Sequence, residues 1–352
     1  MLPNFISTKL EDFRTFKRKL YRQDSFREAL KLKLRSIERE FPDIPKVTRR
    51  YKLIFKDETG FVNDVEFRRS GDIINISMDW AYAQFTFETL WQHLIAHYYW
   101  YARCGSDIGP VTISLSDGNE PTRAIFGQCT YHADMNLLPD TYFFSHKGYV
   151  EAGKVFQASD KPWSDRSDDI IWRGSAFGCG FTSFDKAVAT HPGVLQRIRL
   201  AHLAMDSEVS FKFIESYQTR HFHSAMNEGG FIGDRVPELS WVNHKYAIDI
   251  DGYTNAWSNF YIRLKLGCCV LKVDSDYGYR QWYYHKLQPY VHYVPVKADL
   301  SDLFSQIEWV KAHQKEAEEI ATAGRMLADS MDFESESAKA AQLIIEKTRV
   351  DS

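Results

Sequence analysis

The sequence predicts an α/β protein with a parallel sheet, and three neighbouring stretches carry that prediction. Tyr246–Ile250 alternates apolar and polar residues and stops at Asp251, which is the pattern of a strand followed by a turn. Asn255–Leu266 then has apolar residues at helical spacing, and Cys268–Val273 is a second apolar run. A strand, a helix and a strand in this order form a βαβ unit of a parallel sheet.

Length and composition indicate a soluble protein of two domains. A chain of 352 residues is long for a single hydrophobic core. Its 44% hydrophobic and 26% charged residues are typical of globular proteins. The formal net charge of −3 gives no reason to expect a nucleic-acid partner.

The cysteines and the N-terminal residues predict a cytoplasmic protein. Five cysteines are an odd number, and none of them is spaced as CxxC. This argues against a disulfide framework and against a thiolate zinc site, and it fits a reducing compartment. The first residues lack the apolar stretch of a secretory signal, and no apolar run approaches the length of a membrane span.

Residues 5–41 are predicted to form one long helix or two shorter ones, because Phe26, Leu30 and Leu34 recur at helical spacing. Residues 1–50 carry 14 Lys and Arg against 7 Asp and Glu. Two interpretations fit. The helix could lie on the anionic inner membrane surface. Alternatively, it packs on its domain with a solvated basic face, which is the favoured interpretation.

Three short strands and a helix follow. Tyr51–Lys56, Val65–Arg69 and Ile73–Met78 have the composition and alternation of strands. Thr86 is placed to cap a helix that runs from Phe87 to about Arg103.

Two sets of histidines could be considered as metal ligands. His93 and His97 are four residues apart on the predicted helix, but no HExxH glutamate accompanies them, so structural histidines are predicted. His132, Asp134 and His146 are loosely spaced, and a metal-dependent hydrolase built on them is the least favoured function.

Asp117 follows the predicted strand Val111–Leu115 and enters a turn with Gly118 and Asn119. A carboxylate at the carboxyl end of a strand is well placed to face a cleft. The same residue could instead form an Asx turn, and the residues alone favour that interpretation.

A second strand end carries a pattern for binding an anion. Ile170–Trp172 is apolar and leads directly into Arg173, Gly174 and Ser175. Glycine lets backbone N–H groups approach a ligand, serine donates a hydrogen bond, and arginine can bond two oxygens at once.

Several separated blocks of the sequence resemble glycosyltransferase family 90. They are IIWRGS at 170–175, HKYAIDIDG at 244–252, NAWS at 255–258, LGCCVLK at 266–272 and LQPYVHYVPVKADLSDL at 287–303. The family holds Rumi-type protein O-glucosyltransferases, fungal capsule-associated xylosyltransferases and bacterial lipopolysaccharide core transferases. The resemblance covers roughly residues 112–324, and the predicted cytoplasmic location favours the bacterial branch.

The resemblance implies two Rossmann-like domains that face a cleft, the GT-B arrangement, with extra helices at both ends. Residues 1–160 would form the acceptor-side domain, with the basic helical N-terminus. Residues 161–315 would bind the nucleotide-sugar donor, and a helix within 316–352 would cross back to the first domain. The polar stretch Ser159–Asp169 is the predicted linker.

The resemblance also implies an inverting, metal-independent transfer of glucose or xylose from a UDP-sugar to a glycan or glycolipid acceptor, such as a lipopolysaccharide core. Asp117 stands where the family has its catalytic aspartate, so it becomes the predicted general base. The predicted donor-binding residues are Arg173, Gly174, Ser175, Lys245, Asp251, Gly252, Trp257, Ser258 and Arg263. For Arg197, a solvated helix face and contact with the donor both stay open.

Two features of the sequence bear on how the diphosphate would be bound: an arginine of the family that is missing here, and two DxD sequences. Where many family members have an arginine that holds the diphosphate, this chain has Phe260, and Arg263 one turn later could replace it. The missing arginine favours an alternative, a catalytically silent glycan- or nucleotide-binding protein of the same fold. Asp249–Asp251 and Asp274–Asp276 spell DxD, but no metal site is predicted, and strand alternation predicts a solvent-facing Asp249.

Overall fold

The computed structural model describes residues 3–41, 50–57, 60–81, 87–105, 108–215 and 217–348. The helices are α1 (Pro3–Glu40), α2 (Phe87–Ala102), α3 (Thr141–Ser145), α4 (Val150–Ala158), α5 (Gln196–Ala204), α6 (His223–Glu228), α7 (Ser258–Lys265), α8 (Leu303–Ala312), α9 (Gln314–Ser330) and α10 (Phe333–Thr348). The strands are β1 (Arg50–Lys56), β2 (Asp64–Ser70), β3 (Ile73–Asp79), β4 (Val111–Ser114), β5 (Phe126–Gly127), β6 (Cys129–Thr130), β7 (Asn136–Leu137), β8 (Ile171–Gly174), β9 (Ser210–Phe213), β10 (Tyr246–Asp249), β11 (Cys269–Val273), β12 (Arg280–Gln281) and β13 (Val294–Val296). The predicted cap Thr86 lies outside the described residues.

The chain divides into two compact units. Unit 1 contains residues 1–116, 120–127 and 337–352, and unit 2 contains residues 117–119 and 128–336. The expected domain boundary near residue 160 therefore falls inside unit 2. The last helix, α10, begins in unit 2 and belongs to unit 1 from Ser337 onward.

Unit 1 holds a mixed sheet in the order β1-β3-β2-β4-β5. The strands β1 and β3 are parallel, as are β4 and β5, whereas β2 is antiparallel to both β3 and β4. The two-residue turn at Gly71 and Asp72 explains the antiparallel pair, because so short a connection can join only antiparallel strands. The predicted strands are confirmed here, but a Rossmann-like first domain is not.

Unit 2 contains the predicted parallel strands. The strands β10, β11 and β13 form one parallel sheet, and β8 pairs in parallel with β9. Every residue of β10 and β11 is buried, as expected for parallel strands covered on both faces. The α/β fold class is confirmed in this unit, including the order β10, α7, β11 of the predicted βαβ unit.

Asp249 on β10 lies in a different environment from the solvent-facing one that was predicted. Its side chain is fully buried rather than solvent-facing, and its Oδ2 lies 3.0 Å from Nζ of Lys272. The prediction was wrong because alternation exposes one face of a strand only when that face is left uncovered. In a strand buried on both faces, a carboxylate needs a cationic partner, and Lys272 supplies it.

The predicted linker Ser159–Asp169 is part of unit 2. Within it, the buried Arg166 donates from Nη1 to the backbone oxygens of Leu266 and Gly267, at 3.1 and 2.9 Å. These bonds satisfy carbonyl groups just beyond the carboxyl end of α7. The stretch therefore packs against the βαβ unit, although its composition is polar.

The first helix is a single one, and one of its faces belongs to the core of unit 1. Phe26, Leu30 and Leu34 are fully buried, as their spacing predicted. This packing agrees with the interpretation of a helix docked on its own domain. Within the described part of the chain, no helix combines the length and the apolar character needed to cross a bilayer.

His97 on α2 should make the stability of the protein depend on pH. Its ring is fully buried, Nδ1 donates to the backbone oxygen of His93 at 2.7 Å, and burial lowers its pKa from 6.5 to about 4. The unfolded chain therefore binds a proton before the folded chain does as pH falls. We expect this residue to remove about 3 kcal/mol of stability between pH 6.5 and pH 4.

The test compares the wild type with His97→Asn, whose amide can still donate to the same carbonyl group but does not titrate. Urea unfolding at a series of pH values should give a shallower loss of stability in the variant below pH 6.5. Equal losses in the two proteins would show that His97 does not carry this dependence.

Candidate active site

Unit 2 contains a cavity of about 330 Å³ at the carboxyl end of β8. Its described lining also includes the first turn of α5, the segment 235–241 and the first two turns of α7. Among the described residues that line it, four are arginines, namely Arg173, Arg197, Arg235 and Arg263. We call it the arginine cavity. A concave site with this charge at the carboxyl ends of parallel strands is suited to a ligand carrying more than one phosphate group.

Arg197 lines this cavity from the first turn of α5, and the sequence left its role open. The side chain is held by Nη1 donating to the oxygen of Ser175 at 3.1 Å and Nη2 donating to the oxygen of Ile250 at 3.0 Å. Burial lowers its pKa to about 10, so the guanidinium stays cationic at neutral pH. Its Nε is buried and has no partner in the described structure. A buried cation with a free donor is a candidate anion contact.

Arg263 reaches the same cavity from α7. Its Cζ lies 3.9 Å from the ring centroid of Trp241, and Nη1 donates to the oxygen of Glu238 at 2.9 Å. Phe260, which occupies the position of the family arginine, is instead buried and has ring contacts with neighbouring tyrosines. The helical turn between the two positions therefore brings Arg263, and not residue 260, to the arginine cavity.

Arg173 also lines the cavity, but backbone groups occupy much of its guanidinium. It donates to the oxygens of Trp172, Ser210 and Asp234 and to the hydroxyl of Ser210. Carbonyl groups do not neutralise a cation, so its charge still contributes to the cavity. Burial lowers its pKa. Arg173 therefore fixes the cavity wall and adds to its positive field.

Of the two residues after Arg173, Gly174 lines the cavity, whereas Ser175 supports it through its backbone. A Cβ atom on Gly174 would lie 2.5 Å from ring atoms of Trp172, so glycine is required here by packing rather than only by an approaching ligand. Gly174 lines the arginine cavity. Ser175 contributes its backbone oxygen to Arg197, and this bond fixes the arginine.

The loop from β10 to α7 is held by a buried ionic group. Nζ of Lys272 lies 2.8 Å from Oδ1 of Asp251 and 3.0 Å from Oδ2 of Asp249. Burial by itself would lower the pKa of Lys272, but the two carboxylates outweigh it and raise that pKa. Gly252 follows Asp251, and a Cβ there would lie 3.2 Å from Nη2 of Arg197. The DxD sequence at 249–251 thus binds a lysine and supports the arginine cavity.

Helix α7 begins three residues later than its apolar pattern predicted. Trp257 adopts φ 49° and ψ −116°, which is not helical, and the helix starts at Ser258. The backbone N–H of Trp257 donates to Oδ1 of Asn255 at 2.5 Å. Ser258 and Asn259 line the arginine cavity, so the amino end of α7 faces it. An anion there is favoured by the helix dipole.

Asp117 belongs to unit 2 together with Gly118 and Asn119, although residues 1–116 and 120–127 belong to unit 1. It is not among the residues that line the arginine cavity. A Cβ on Gly118, the residue after Asp117, would lie 2.5 Å from the oxygen of Cys129, and Cys129 pairs with Gln281, which donates to the oxygen of Trp257 at 3.1 Å. Asp117 is therefore close to the 251–257 loop, which borders the cavity.

Lys245 is placed away from the cavity. It precedes β10, so it lies at the amino end of this strand, and its Nζ lies 2.8 Å from Oδ1 of Asp168. The cavity is at the opposite ends of the parallel strands. Lys245 is therefore not among the residues that line the arginine cavity.

The residues considered as metal ligands do not form a cluster in the structure. Nδ1 of His146 bonds to the backbone oxygen of Tyr142 at 2.9 Å, and Asp276 lies 2.5 Å from Nη2 of Arg199. In the described ranges, no group of three His, Cys, Asp or Glu side chains is arranged to hold a metal ion. The structure gives no support to the hydrolase alternative.

A comparison with known protein families matches a part of the chain that contributes to the arginine cavity. Residues 207–336 match the family described as "Glycosyl transferase family 90". This range includes the cavity residues Arg235 and Arg263, whereas Asp117, Arg173 and Arg197 precede it.

Three similar proteins show how far the likeness extends. The "Protein O-glucosyltransferase 2" of Danio rerio is 34% identical over 213 residues, which are 58% of this chain and 38% of that protein. The "Protein O-glucosyltransferase 3" of Homo sapiens is 39% identical over 90 residues, which are 26% of this chain and 17% of that protein. The "Uncharacterized protein 179R" of Invertebrate iridescent virus 6 is 30% identical over 177 residues, 45% of this chain and 15% of that protein.

The chain thus spans no more than 38% of the length of these three proteins. The family match and the named relatives support a glycosyltransferase. They are viral and vertebrate proteins, and they give no support to the bacterial branch that the cytoplasmic prediction favoured.

Proposed function

We propose that this chain is an inverting glycosyltransferase that takes its sugar from a UDP-sugar, with glucose or xylose as the transferred unit. The observation that carries the proposal is the arginine cavity, in which four arginines and the amino end of α7 face one space. The diphosphate of a nucleotide sugar matches this charge. The family match over residues 207–336 supports the reaction class.

The arginine cavity would bind the diphosphate and stabilise it as it departs. In the reaction, the bond from the sugar C1 to the phosphate oxygen breaks, and its electron pair leaves with UDP. Arg197 and Arg263, with the N–H groups at the start of α7, can accept this growing negative charge without reorganising. Arg173 holds the wall through its backbone bonds and adds its charge.

Asp117 would act as the general base. As the acceptor hydroxyl oxygen attacks C1, its proton passes to the Asp117 carboxylate, so the attacking oxygen carries more negative charge. Attack on the face of C1 opposite to the departing diphosphate inverts the configuration. The position of Asp117 in unit 2, next to the backbone contacts that link Gly118 to Cys129 and Gln281, supports this role.

The acceptor is proposed at the level of a hydroxyl group on a glycan or a protein. The sequence predicted a lipopolysaccharide core or a related surface glycan. The names of the vertebrate relatives, protein O-glucosyltransferases, make a protein hydroxyl the second candidate. A panel of both acceptor classes with radiolabelled UDP-sugar separates them.

We also propose a cytoplasmic location, which the five free cysteines support. If the acceptor is a membrane-held glycolipid, the basic N-terminal helix would contact the inner membrane surface. Flotation of the protein with anionic vesicles tests this contact.

A screen of nucleotide sugars by thermal unfolding tests the donor. A ligand that binds only the folded protein stabilises it by about 2.7 kcal/mol at 100 times its dissociation constant. We expect UDP-glucose or UDP-xylose to raise the melting temperature more than GDP- and ADP-sugars, which carry the same diphosphate on a different nucleoside. A flat response to UDP and to every UDP-sugar would count against the proposed function.

Transfer is expected to need no added metal. The diphosphate charge is met by arginines, and Lys272 already occupies the space between the DxD carboxylates. We expect the rate in EDTA to match the rate in buffer. An absolute requirement for manganese would bring back a metal role for Asp249 and Asp251.

The second candidate function is a silent binder of nucleotides or glycans. The observation in its favour is Phe260, which is buried in the core where the family has a diphosphate-binding arginine. Binding of UDP-sugar without either transfer or hydrolysis would favour this candidate.

A further inference from the structure

Two aromatic side chains meet beside the start of α7. The ring of Tyr142 on α3 lies 6.0 Å from the ring of Trp257, at an interplanar angle of 46°. Tyr142 is 36% exposed and Trp257 is half-buried, so the pair presents ring surface to solvent. Neither residue belongs to the main hydrophobic core of unit 2. We call this pair the aromatic corner.

A buried carboxylate holds Tyr142 in place. Asp140 is 2% exposed and caps α3, with Oδ1 accepting from the backbone N–H groups of Tyr142 and Phe143, both at 2.9 Å. Its Oδ2 accepts from Nε1 of Trp282 at 3.2 Å. These bonds fix the backbone of Tyr142, although its side chain is partly exposed.

Trp257 is held in a backbone conformation that is unusual for a residue with a side chain. Its φ of 49° lies in the left-handed region, and such strain persists only where surrounding bonds impose it. Asn255 accepts from the Trp257 N–H, and Nε2 of Gln281 donates to the Trp257 oxygen at 3.1 Å. Strain that is held in this way is common where a side chain must be aimed at a ligand.

The aromatic corner lies close to Asp117. A Cβ on Gly118 would lie 2.5 Å from the oxygen of Cys129, and Cys129 pairs with Gln281, the residue that holds Trp257. Burial raises the pKa of the Tyr142 hydroxyl, and the charge of Asp117 raises it further. On its other side, Trp257 is followed directly by Ser258 of the arginine cavity.

We propose that the aromatic corner of Tyr142 and Trp257 binds the transferred sugar of the donor, with the ring faces packed against the apolar face of a pyranose. This inference rests on the proposed function. The diphosphate in the arginine cavity and the base Asp117 must lie on two sides of the reacting sugar. The corner is connected to the cavity through Ser258 and to the turn of Asp117 through Gln281 and Cys129. Aromatic faces suit C–H groups of a sugar, and a fixed ring loses little entropy on binding.

Calorimetry with UDP and with UDP-glucose separates contacts to the sugar from contacts to the nucleotide. For Tyr142→Ala we expect the dissociation constant of UDP-glucose to rise about fivefold, the scale of one lost aromatic contact. The dissociation constant of UDP should stay within about twofold of the wild-type value, since UDP lacks the sugar. UDP-xylose replaces UDP-glucose if it gives the larger thermal stabilisation.

Three further variants complete the test. Tyr142→Phe keeps the ring and should bind UDP-glucose like the wild type. Trp257→Leu places another side chain at the same positive φ but removes the aromatic ring, and it should behave like Tyr142→Ala. Tyr21→Ala removes another tyrosine, which is 75% exposed and lies in unit 1, and should change neither constant.

If Tyr142→Ala changed the dissociation constants of UDP and UDP-glucose equally, or changed neither, the sugar-binding role of the aromatic corner would be overturned. The proposed function would stay intact. A wild-type protein that binds neither UDP nor any UDP-sugar would overturn the proposed function, and this inference with it.

Discussion

Asp117→Asn is expected to lower the rate of sugar transfer by about 10²–10⁴-fold, the usual contribution of a general base. Asparagine has nearly the same shape as aspartate but cannot accept the acceptor's proton at neutral pH. Asp117 does not line the arginine cavity, so the affinity for UDP should stay close to that of the wild type. Initial rates with a radiolabelled UDP-sugar, together with calorimetry of UDP binding, measure the two effects separately.

Asp134→Asn is the matched control for this prediction. Asp134 is an exposed aspartate in unit 2, outside the lining of the arginine cavity, and its replacement should leave the rate unchanged. Wild-type turnover by Asp117→Asn would remove Asp117 as the base. A loss of UDP affinity as large as the loss of rate would instead assign it to donor binding.

Arg197→Gln is expected to weaken UDP binding by about 1–3 kcal/mol, the scale of losing a hydrogen bond to a charged group. Arg197 lines the cavity and its buried Nε has no hydrogen-bond partner in the described structure, whereas the guanidinium of Arg173 is largely occupied by backbone oxygens. We therefore expect a larger loss of affinity for Arg197→Gln than for Arg173→Gln. Calorimetry with UDP gives both values.

Stability must be measured in the same variants, because Arg197 also donates to the backbone oxygens of Ser175 and Ile250. Arg197→Lys keeps the charge and should recover part of the affinity. Arg325→Gln removes an arginine that forms a helical ion pair with Asp329, away from the cavity, and should bind UDP normally. A folded Arg197→Gln protein with unchanged UDP affinity would contradict the assignment.

The strands and helices could be predicted because their patterns are local. Alternation identified β2 and β3, and the order β10, α7, β11 followed from two apolar runs around a helical pattern. The same patterns could not give strand direction in unit 1, where a two-residue turn makes β2 and β3 antiparallel. They also missed the start of α7, since Trp257 is fixed outside the helix by its N–H donating to Asn255 and its oxygen accepting from Gln281.

The candidate site was predicted in part. The motif blocks contain Arg173, Gly174 and Ser258, and Arg263 was predicted as the replacement for the family arginine missing at Phe260; all four line the arginine cavity. The same blocks included Lys245, which lies at the wrong end of its strand to line that cavity. Arg235 carried no signal in the sequence, because an arginine in a polar segment is usually a solvated side chain.

By itself, the sequence determined the periodicity of each element and the blocks that resemble a sugar-transferring family, since both depend on residues close together in the chain. Only the tertiary structure decided which charged groups are buried. Asp249 was expected in solvent and is fully buried on Lys272, and Arg197 on its helix proved to line a cavity. The physical reason is that burial depends on which elements cover a face, and those elements lie far away along the chain.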